Sequence, residues 1–439
     1  MIPNDLVNNL WVLFAGVMVL SMAGYAGFLE VGSLGEKIDK ALIKNLTIVG
    51  LALFFMAWIG FNIAFAPTIN GVIGNPFYHG IFLGGVSNLG LFTSTWWSMT
   101  SHYFGSGLDT GTYYVFEASF AAVTLALVGL VGLRKMKMSA FAIYGIAYFI
   151  IIWTLPAAWI WNPTGWLYLL GVRDFAGGAV VHAAAGAAGL AILWQIWKEE
   201  RAKGYTKSPQ VQTNIVPVWL VLSSFQLLLA WLGFNAGSTL KFDDDAIIVV
   251  VSTLLSAVSG FLSTMFFRYV LGKKMDLQYA TNGFLVGLIV ITPLAGYVSP
   301  DSAVILGLVS GPIYLAADKA YKSVKWFTDP IGLLSTHMTL GPFGFIMTAF
   351  FVQNTFAVAS GSGNLPNGLF FGGGLAALHQ LGLQIFALVV VMVSAFVMTY
   401  IAMWILARLM HGITTDYKEQ GMVPQEKQQQ ERQQADSQT

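Results

Sequence analysis

The 439-residue sequence contains no cysteine, which excludes disulfide bonds, thiolate metal sites and a cysteine nucleophile. Charged residues are also scarce, at 10% of the chain, whereas a soluble domain carries about 25%. So few charges cannot build a water-facing surface, so lipid must cover much of the protein. The net charge of +1 argues against a nucleic-acid partner, which requires a strongly basic surface.

Apolar residues are abundant instead, at 56% of the chain, with a mean hydropathy of +0.68. A spanning helix needs about 20 predominantly apolar residues, and the apolar runs here are much longer than the strands of a membrane barrel. We therefore expect an all-α polytopic membrane protein. No basic segment precedes the first run, so we expect no cleaved signal peptide. The eleven predicted spans are 8–29, 46–66, 112–133, 139–160, 174–196, 213–235, 245–270, 279–298, 302–320, 331–354 and 377–408.

Basic residues fall almost entirely on one side of this map. If the N-terminus is outside, the odd-numbered connections and the C-terminal end hold all of the 22 basic residues except Arg173 and Lys241. A bias of this kind places the basic side in the cytoplasm. The sequence thus predicts an N-out, C-in protein with an odd number of spans.

The chain divides into a transmembrane domain, residues 1–410, and a cytoplasmic, largely flexible tail, residues 411–439. The tail is polar and rich in glutamine, so it cannot bury enough apolar surface to fold alone. The segment 75–114, which contains Trp96 and Trp97, is expected to cap the outer face. Three consecutive aspartates at 243–245 form an acidic outer patch, either as a solvated loop or as a funnel for cations.

Two of the six histidines, His182 and His337, lie well inside predicted spans. Each belongs to a copy of the pattern D-x7-H-x3-G-x2-G. These spacings keep the residues near one helix face, and the glycines allow another helix to approach closely. The two copies are Asp174, His182, Gly186, Gly189 and Asp329, His337, Gly341, Gly344.

The two copies run in opposite directions, because each half contains an odd number of spans. The sequence therefore predicts an inverted repeat of spans 1–5 and 6–10, residues 8–196 and 213–354, followed by the helix 377–408. Such halves are related by an axis in the membrane plane, with the transport site between them at mid-depth. This symmetry brings His182 and His337 together, and ionisable groups at that depth usually mark a pathway.

Segments around these residues resemble the ammonium transporter family, which includes the methylammonium permeases and the Rhesus proteins. DFAGGAVVH, at 174–182, is similar to the family's fifth-helix signature, and WIWNPTGW, at 159–166, is most similar to the methylammonium permeases. The resemblance covers about residues 8–410. Further matches, in chain order, are FEASF at 116–120, WLGFNAGS at 231–238, TNG at 281–283, ITPLAG at 291–296 and the segment 329–337.

The resemblance implies an eleven-span protomer in a homotrimer, with one pore in each protomer. It also implies an outer site that recruits ammonium with an aromatic ring and a serine hydroxyl, then an aromatic gate and paired pore histidines. The matching residues are Phe116, Trp161 and Ser238 for substrate binding, Phe120 and Phe234 for the gate, His182 and His337 for the pore, and Asp174 and Asp329 as structural and electrostatic carboxylates.

Two positions stay open. Spacing back from Asp174 places Asn162 at the outer aromatic position, and a one-residue shift is needed to place Trp161 there. Glu117 stands where the family often has glutamine. It is either a protonated acid facing a neighbouring helix or a residue that touches the proton path.

We therefore expect a cell-membrane protein that carries ammonium, ammonia and methylammonium in nitrogen uptake, with no enzymatic activity, cofactor or metal site. Ammonium would lose its proton at the gate, and ammonia would cross with or without a relayed proton. The alternatives are a Rhesus-like channel for ammonia or carbon dioxide, and an ammonium sensor or transceptor. A nitrogen-regulatory protein is the expected partner at the cytoplasmic face.

Overall fold

The computed structural model describes residues 4–78, 108–211, 213–274, 276–361 and 365–417. The predicted outer cap lies mostly outside this part of the chain, as does the tail from residue 418 onward. The described chain is mainly helical. Its long helices are α1 (Asn4–Leu34), α2 (Ile38–Phe65), α3 (Thr110–Gly129), α4 (Met138–Ile160), α5 (Gly178–Ala202), α6 (Pro217–Thr239), α7 (Asp244–Val270), α8 (Leu277–Leu294), α9 (Pro300–Lys322), α10 (Leu333–Phe351) and α11 (Gly374–Leu409).

Within the described residues, ten of these helices are long and apolar enough to cross a membrane. The exception is α10, which has 19 residues. It is long enough to span, since a helix rises about 1.5 Å per residue. It contains His337 and three threonines, and it is largely enclosed by its neighbours. Its role as the tenth of eleven spans stays a prediction.

Several long helices change their winding along their length. Wider π turns occur at Met56–Gly60 in α2, at Tyr148–Ile152 in α4 and at Gly178–Ala183 at the start of α5. Tighter 3-10 turns, Gly237–Thr239 and Thr292–Leu294, end α6 and α8. Turns of this kind inside helices are frequent at functional sites.

The shorter elements lie in the connections. Two-residue strands, β1 (Thr68–Ile69) and β2 (Ile73–Gly74), pair antiparallel across Asn70 and Gly71. These two residues have φ values of 53° and 76°, and the Asn-Gly pair favours such a hairpin turn. The remaining short helices of the described chain are Trp166–Leu170, Asn354–Ala359 and the 3-10 turn Leu369–Phe371.

Equivalent helices of the two predicted halves face each other. Helix α1 packs along α6, and the π turn that begins α5 packs against α10. Around these contacts, α3 packs on α1, α8 and α9 pack on α7, and α11 packs on α5. The first and last helices of each half thus line the boundary between the halves, where the predicted site lies.

The connections sort into two groups by their contacts. Arg134 Nε donates to Glu36 at 2.7 Å, and Ser208 N donates to Lys325 O at 2.9 Å, which joins odd-numbered connections to one another. At the other end, the Asn8 side chain accepts from Phe242 N at 3.0 Å. These contacts place the connections rich in basic residues at one end of the molecule.

The start of α2 is earlier than the hydropathy pattern predicts, at residue 38 rather than 46. Lys40 and Lys44 lower the apolar signal of its first turns. Lys44 is paired with Glu30, which is 1% exposed, at the end of α1. Pairing lets a charged residue remain near the apolar region, because a lone buried charge is much more costly.

The first residues of the predicted tail, 411–417, pack against the basic end of the molecule. Glu199 accepts from Ile413 N and Thr414 N at 2.9 and 3.0 Å. Glu200, which is fully buried, accepts from Lys135 at 3.0 Å and from the Tyr417 hydroxyl at 2.7 Å. Burial lowers the pKa of Lys135, and the Glu200 carboxylate partly offsets that effect. The predicted boundary between the transmembrane domain and the tail is therefore followed by a segment, 411–417, that packs against the rest of the protein.

Candidate functional site

His182 and His337 meet between α5 and α10. Both side chains are buried, with exposed fractions of 1% and 5%. Their Nδ1 atoms are 3.1 Å apart, and the ring planes cross at 55°. At this distance a neutral pair requires one Nδ1–H donor and one bare acceptor. The Nε2 atom of His182 has no hydrogen-bond partner among the described residues.

The repeated glycines account for this close approach. A Cβ on Gly341 would lie 2.5 Å from the His182 Cβ, and a Cβ on Gly186 would lie 2.4 Å from the Met338 Cβ. Gly341 thus accommodates His182, the histidine of the other copy, and Gly186 provides the space for the side chain of Met338, which follows the other histidine.

The two aspartates of the repeat have the same local role. Asp174 accepts backbone hydrogen bonds from Gly177, Gly178, Ala179 and Val180, at 2.7–3.1 Å. These bonds satisfy amide groups at the start of a helix, which otherwise have no partner.

Asp329 repeats this arrangement with Gly332, Leu333 and Leu334. Desolvation raises the pKa of Asp329 to about 6, although these hydrogen bonds favour its ionised form.

A glycine three residues after each aspartate was missed by the sequence pattern. Gly177 and Gly332 have φ values of 115° and 92°, a left-handed conformation that favours glycine. The chain turns there so that the next amides point back at the carboxylate. The full repeat is therefore D-x2-G-x4-H-x3-G-x2-G, and a strict comparison of the two copies shows this fifth match.

Three phenylalanines form a continuous aromatic contact above the histidines. Phe116 and Phe120 lie one turn apart on α3, with ring centroids 4.8 Å apart. The Phe120 and Phe234 centroids are 4.3 Å apart. The Phe234 ring is parallel to the His182 ring within 6°, with a centroid distance of 6.1 Å.

The contact between Phe120 and Phe234 separates two cavities. An outer cavity of about 290 Å³ is lined by Phe120 but not by Phe234. An inner cavity of about 30 Å³ is lined by Phe234 and both histidines. Apolar side chains, including Trp231, form most of the inner wall. The Trp231 indole N–H is already bonded to Thr292 at 2.9 Å.

All three predicted substrate-binding residues line the outer cavity: Phe116, Trp161 and Ser238. The Trp161 indole N–H donates to the Asp174 carbonyl at 2.8 Å, which fixes the ring beside Phe120. The Ser238 hydroxyl donates to Phe234 O at 2.9 Å. Because its proton is used there, the lone pairs of this oxygen remain as acceptors for a ligand.

Asn162 lies elsewhere. It is fully buried, and its side-chain amide donates to Ala64 O at 3.0 Å and Ala66 O at 2.8 Å. It therefore holds the end of α2 and does not line the outer cavity. The geometry favours Trp161 over Asn162 as the outer aromatic position.

Two of the three aspartates of the acidic outer patch make structural contacts. Asp243 caps α7 by accepting from Asp245 N and Ala246 N, and both Asp243 and Asp245 pair with Lys241. Lys241 offsets one of the three negative charges of the patch, so both the solvated loop and the cation funnel stay open.

A third cavity of about 380 Å³ lies at the basic end, and sequence reasoning did not identify it. Asp329 lines it, together with Asp318 and Tyr279. The Tyr279 hydroxyl donates to Asp318 at 2.6 Å, and the Arg268 guanidinium lies 3.6 Å from the Tyr279 ring centroid. In the described part of the chain, no group of three histidine, aspartate or glutamate residues could hold a metal ion.

Comparison with known proteins shows the family of the chain. A sequence model of the Ammonium Transporter Family matches residues 10–432. The ammonium transporter of Bacillus subtilis (strain 168) is 28% identical over 371 residues, which are 84% of each chain. Ammonium transporter Amt1 of Archaeoglobus fulgidus is 32% identical over 315 residues, which are 71% of this chain and 73% of that protein.

Solved structures share the fold. Mep2 of Saccharomyces cerevisiae matches 92% of this chain and 85% of its own, with a TM-score of 0.77 and 24% identity. A sensor Amt protein matches 95% of this chain and 97% of its own, with a TM-score of 0.77 and 22% identity. At these identities the likeness concerns the fold alone.

Proposed function

Because the chain belongs to the Ammonium Transporter Family, we propose that it moves ammonium by removing a proton outside the Phe120–Phe234 contact and conducting ammonia past His182 and His337. The observation that carries this proposal is the division of the pathway into a polar outer cavity and a small apolar inner cavity, with the aromatic contact between them.

The outer cavity recruits the cation. The faces of Trp161 and Phe116 supply cation–π attraction, worth about 0.5–2 kcal/mol for each ring. Ammonium is about the size of potassium, so ring attraction alone does not separate the two ions. The Ser238 lone pairs add a directional hydrogen bond that ammonium can donate and potassium cannot.

The inner cavity favours the neutral molecule. A bare cation loses its water there and meets mainly apolar side chains, which disfavours the charged form. Ammonium therefore gives its proton to solvent water on the outer side of Phe120 and Phe234, and ammonia passes when the rings move apart.

The histidine pair gives ammonia its polar contacts in this apolar passage. One imidazole accepts a hydrogen bond from ammonia and the other donates one to it. The same rings can relay the proton, because a neutral imidazole pair already shares one proton between its Nδ1 atoms. This route allows transport with or without net charge.

In the membrane, we propose eleven spans with the N-terminus outside and the basic end in the cytoplasm. Three protomers assemble into a homotrimer with a pore in each. The cytoplasmic cavity near Asp329 is the exit, and the neighbouring surface is where a nitrogen-regulatory protein would bind.

Removal of both imidazoles tests the mechanism. The full-length protein is placed in proteoliposomes, and ammonium-induced current on a solid-supported membrane is measured with uptake of labelled methylammonium. We expect the His182→Ala, His337→Ala double variant to lose ammonium transport or its selectivity against potassium. His379→Ala is the matched control, because His379 is an exposed histidine on α11, and it should behave as wild type.

Two outcomes would contradict the proposal. A wild-type protein without ammonium-dependent current or uptake would exclude the transport function. A double variant as fast and as selective as wild type would remove the histidines from the mechanism and leave the transport function standing.

A further inference from the structure

A second carboxylate lines the outer cavity beside the proposed recruitment residues. Glu117 belongs to α3, where Tyr113, Glu117 and Phe120 follow one another at spacings of four and three residues and so share a helix face. All three line the outer cavity. Glu117 is 4% exposed, so its carboxylate is removed from bulk water and lies beside the cavity.

The hydrogen bonding of Glu117 is incomplete. The Oε2 atom is closed to solvent and has no hydrogen-bond partner among the described residues. A buried carboxylate without enough partners is costly, and a proton or a cation relieves that cost. This incompletely paired carboxylate, on a residue that lines the cavity, is the feature that points to a ligand.

The other charged groups of the cavity are already engaged. The Asp174 carboxylate oxygens accept four backbone N–H groups. The Arg173 guanidinium lies 3.9 Å from the Tyr168 ring centroid and donates to two carbonyl groups. Lys241 pairs with the aspartates that begin α7. None of these contacts includes Glu117.

The helices packed on α3 add few competing groups. The ionisable side chains of α1, α2 and α5 in the described chain lie outside the outer cavity, and the remaining titratable groups that line it are tyrosines. The groups outside are Asp5, Tyr25, Glu30, Asp39, Lys40, Lys44, His182, Lys198, Glu199, Glu200 and Arg201. The lining tyrosines are Tyr113, Tyr168 and Tyr297.

We propose that Glu117 is a direct ligand of the recruited ammonium ion, through a charge-assisted hydrogen bond from ammonium N–H to a carboxylate oxygen. This inference rests on the proposed function and adds an anionic ligand to the aromatic and hydroxyl groups of the outer site. The ammonium charge compensates the buried carboxylate. A proton competes for the same oxygen, so ammonium binding weakens as acidity increases.

The wild-type protein gives the first test. Ammonium-jump currents are measured in proteoliposomes at several values of pH, with ammonium chloride as the probe. We expect the KM for ammonium to rise as the pH falls, because protonated Glu117 no longer attracts the cation. A KM that is independent of pH overturns the proposal.

Substitution gives the second test. Glu117→Gln keeps the shape of the side chain and removes its charge. Loss of a charge-assisted hydrogen bond should raise KM about tenfold or more. We expect kcat to change much less and the pH dependence of KM to disappear. Glu117→Asp keeps the charge and should retain the pH dependence. Asp301→Asn is the control for removal of a carboxylate, since Asp301 is exposed at the start of α9 and does not line the outer cavity.

The outcomes separate this inference from the function on which it depends. A wild type with neither ammonium current nor methylammonium uptake contradicts the proposed function itself. A transporting wild type with an unchanged KM in Glu117→Gln, or with a loss confined to kcat, contradicts only the role of Glu117 as a ligand. If the Glu117→Gln protein does not assemble, a pH-independent KM in the Glu117→Asp variant also overturns the role of Glu117 as a ligand.

Discussion

Replacing Gly341 with alanine should push α10 away from α5 and break the contact between the two histidines. The added Cβ would lie 2.5 Å from the His182 Cβ, whereas two carbon atoms in contact are about 3.5–4.0 Å apart. The helices must therefore separate by about 1 Å. The Nδ1 atoms, now 3.1 Å apart, would then lie beyond the usual hydrogen-bond limit of about 3.2 Å.

The expected free-energy change follows from opposing contributions. Overpacking a filled helix contact costs about 1–3 kcal/mol, and the lost hydrogen bond adds about 0.5–1.5 kcal/mol. Alanine itself favours a helix over glycine by about 0.5–1 kcal/mol. Destabilisation should prevail, with a net cost of about 1–3 kcal/mol and a larger loss of transport than of stability.

Gly50→Ala on α2 is the matched control, because a Cβ there meets no described atom within 4 Å. Thermal unfolding of the purified variants in detergent and ammonium currents in proteoliposomes would be measured together. Gly50→Ala should match wild type in both measurements. A Gly341→Ala protein with unchanged unfolding temperature and unchanged current would refute the claim that this glycine sets the histidine geometry.

Two further predictions concern the aromatic contact and the outer site. Phe234→Ala should join the two cavities and admit potassium. The control is Phe225→Ala, at a position 59% exposed on the same helix, which should leave the potassium current unchanged. Equal potassium currents from the two variants would contradict the role of Phe234 as a barrier. Asn162→Ala should lower the free energy of unfolding by about 1–3 kcal/mol, because it leaves buried backbone carbonyls without their donor. Trp161→Ala should mainly raise the KM for ammonium. If Asn162→Ala raised KM and Trp161→Ala mainly lowered the unfolding temperature, Asn162 would be the outer-site residue and Trp161 the structural one.

The repeat around the histidines was the most informative part of the sequence. Its spacing and the opposite direction of its copies predicted that His182 and His337 would meet, and their Nδ1 atoms are in contact. Helical periodicity indicates which residues share a helix face, and the distribution of basic residues indicates the direction in which each helix runs. Together they sufficed for this prediction. The glycines at 186 and 341 also follow from the pattern, since only a missing side chain permits such an approach.

Other features depend on distant contacts that one sequence does not reveal. The position of Asn162 is decided by carbonyl groups at the end of α2, far away in the chain. The anchoring of residues 411–417 depends on Glu199 and Glu200, which a hydropathy pattern treats only as polar helix residues. Helix ends were displaced for a related reason, because paired charges such as Lys44 and Glu30 extend helices beyond their apolar runs.

The π turn at Gly178–Ala183 has a consequence for the direction of flow. The His182 amide bonds to Gly177 O, five residues back, whereas His337 belongs to a regular α-helix. The two imidazoles therefore sit on differently wound backbones, and the twofold relation between the halves is broken where they join. Symmetry at this contact therefore does not require influx and efflux to have equal rates.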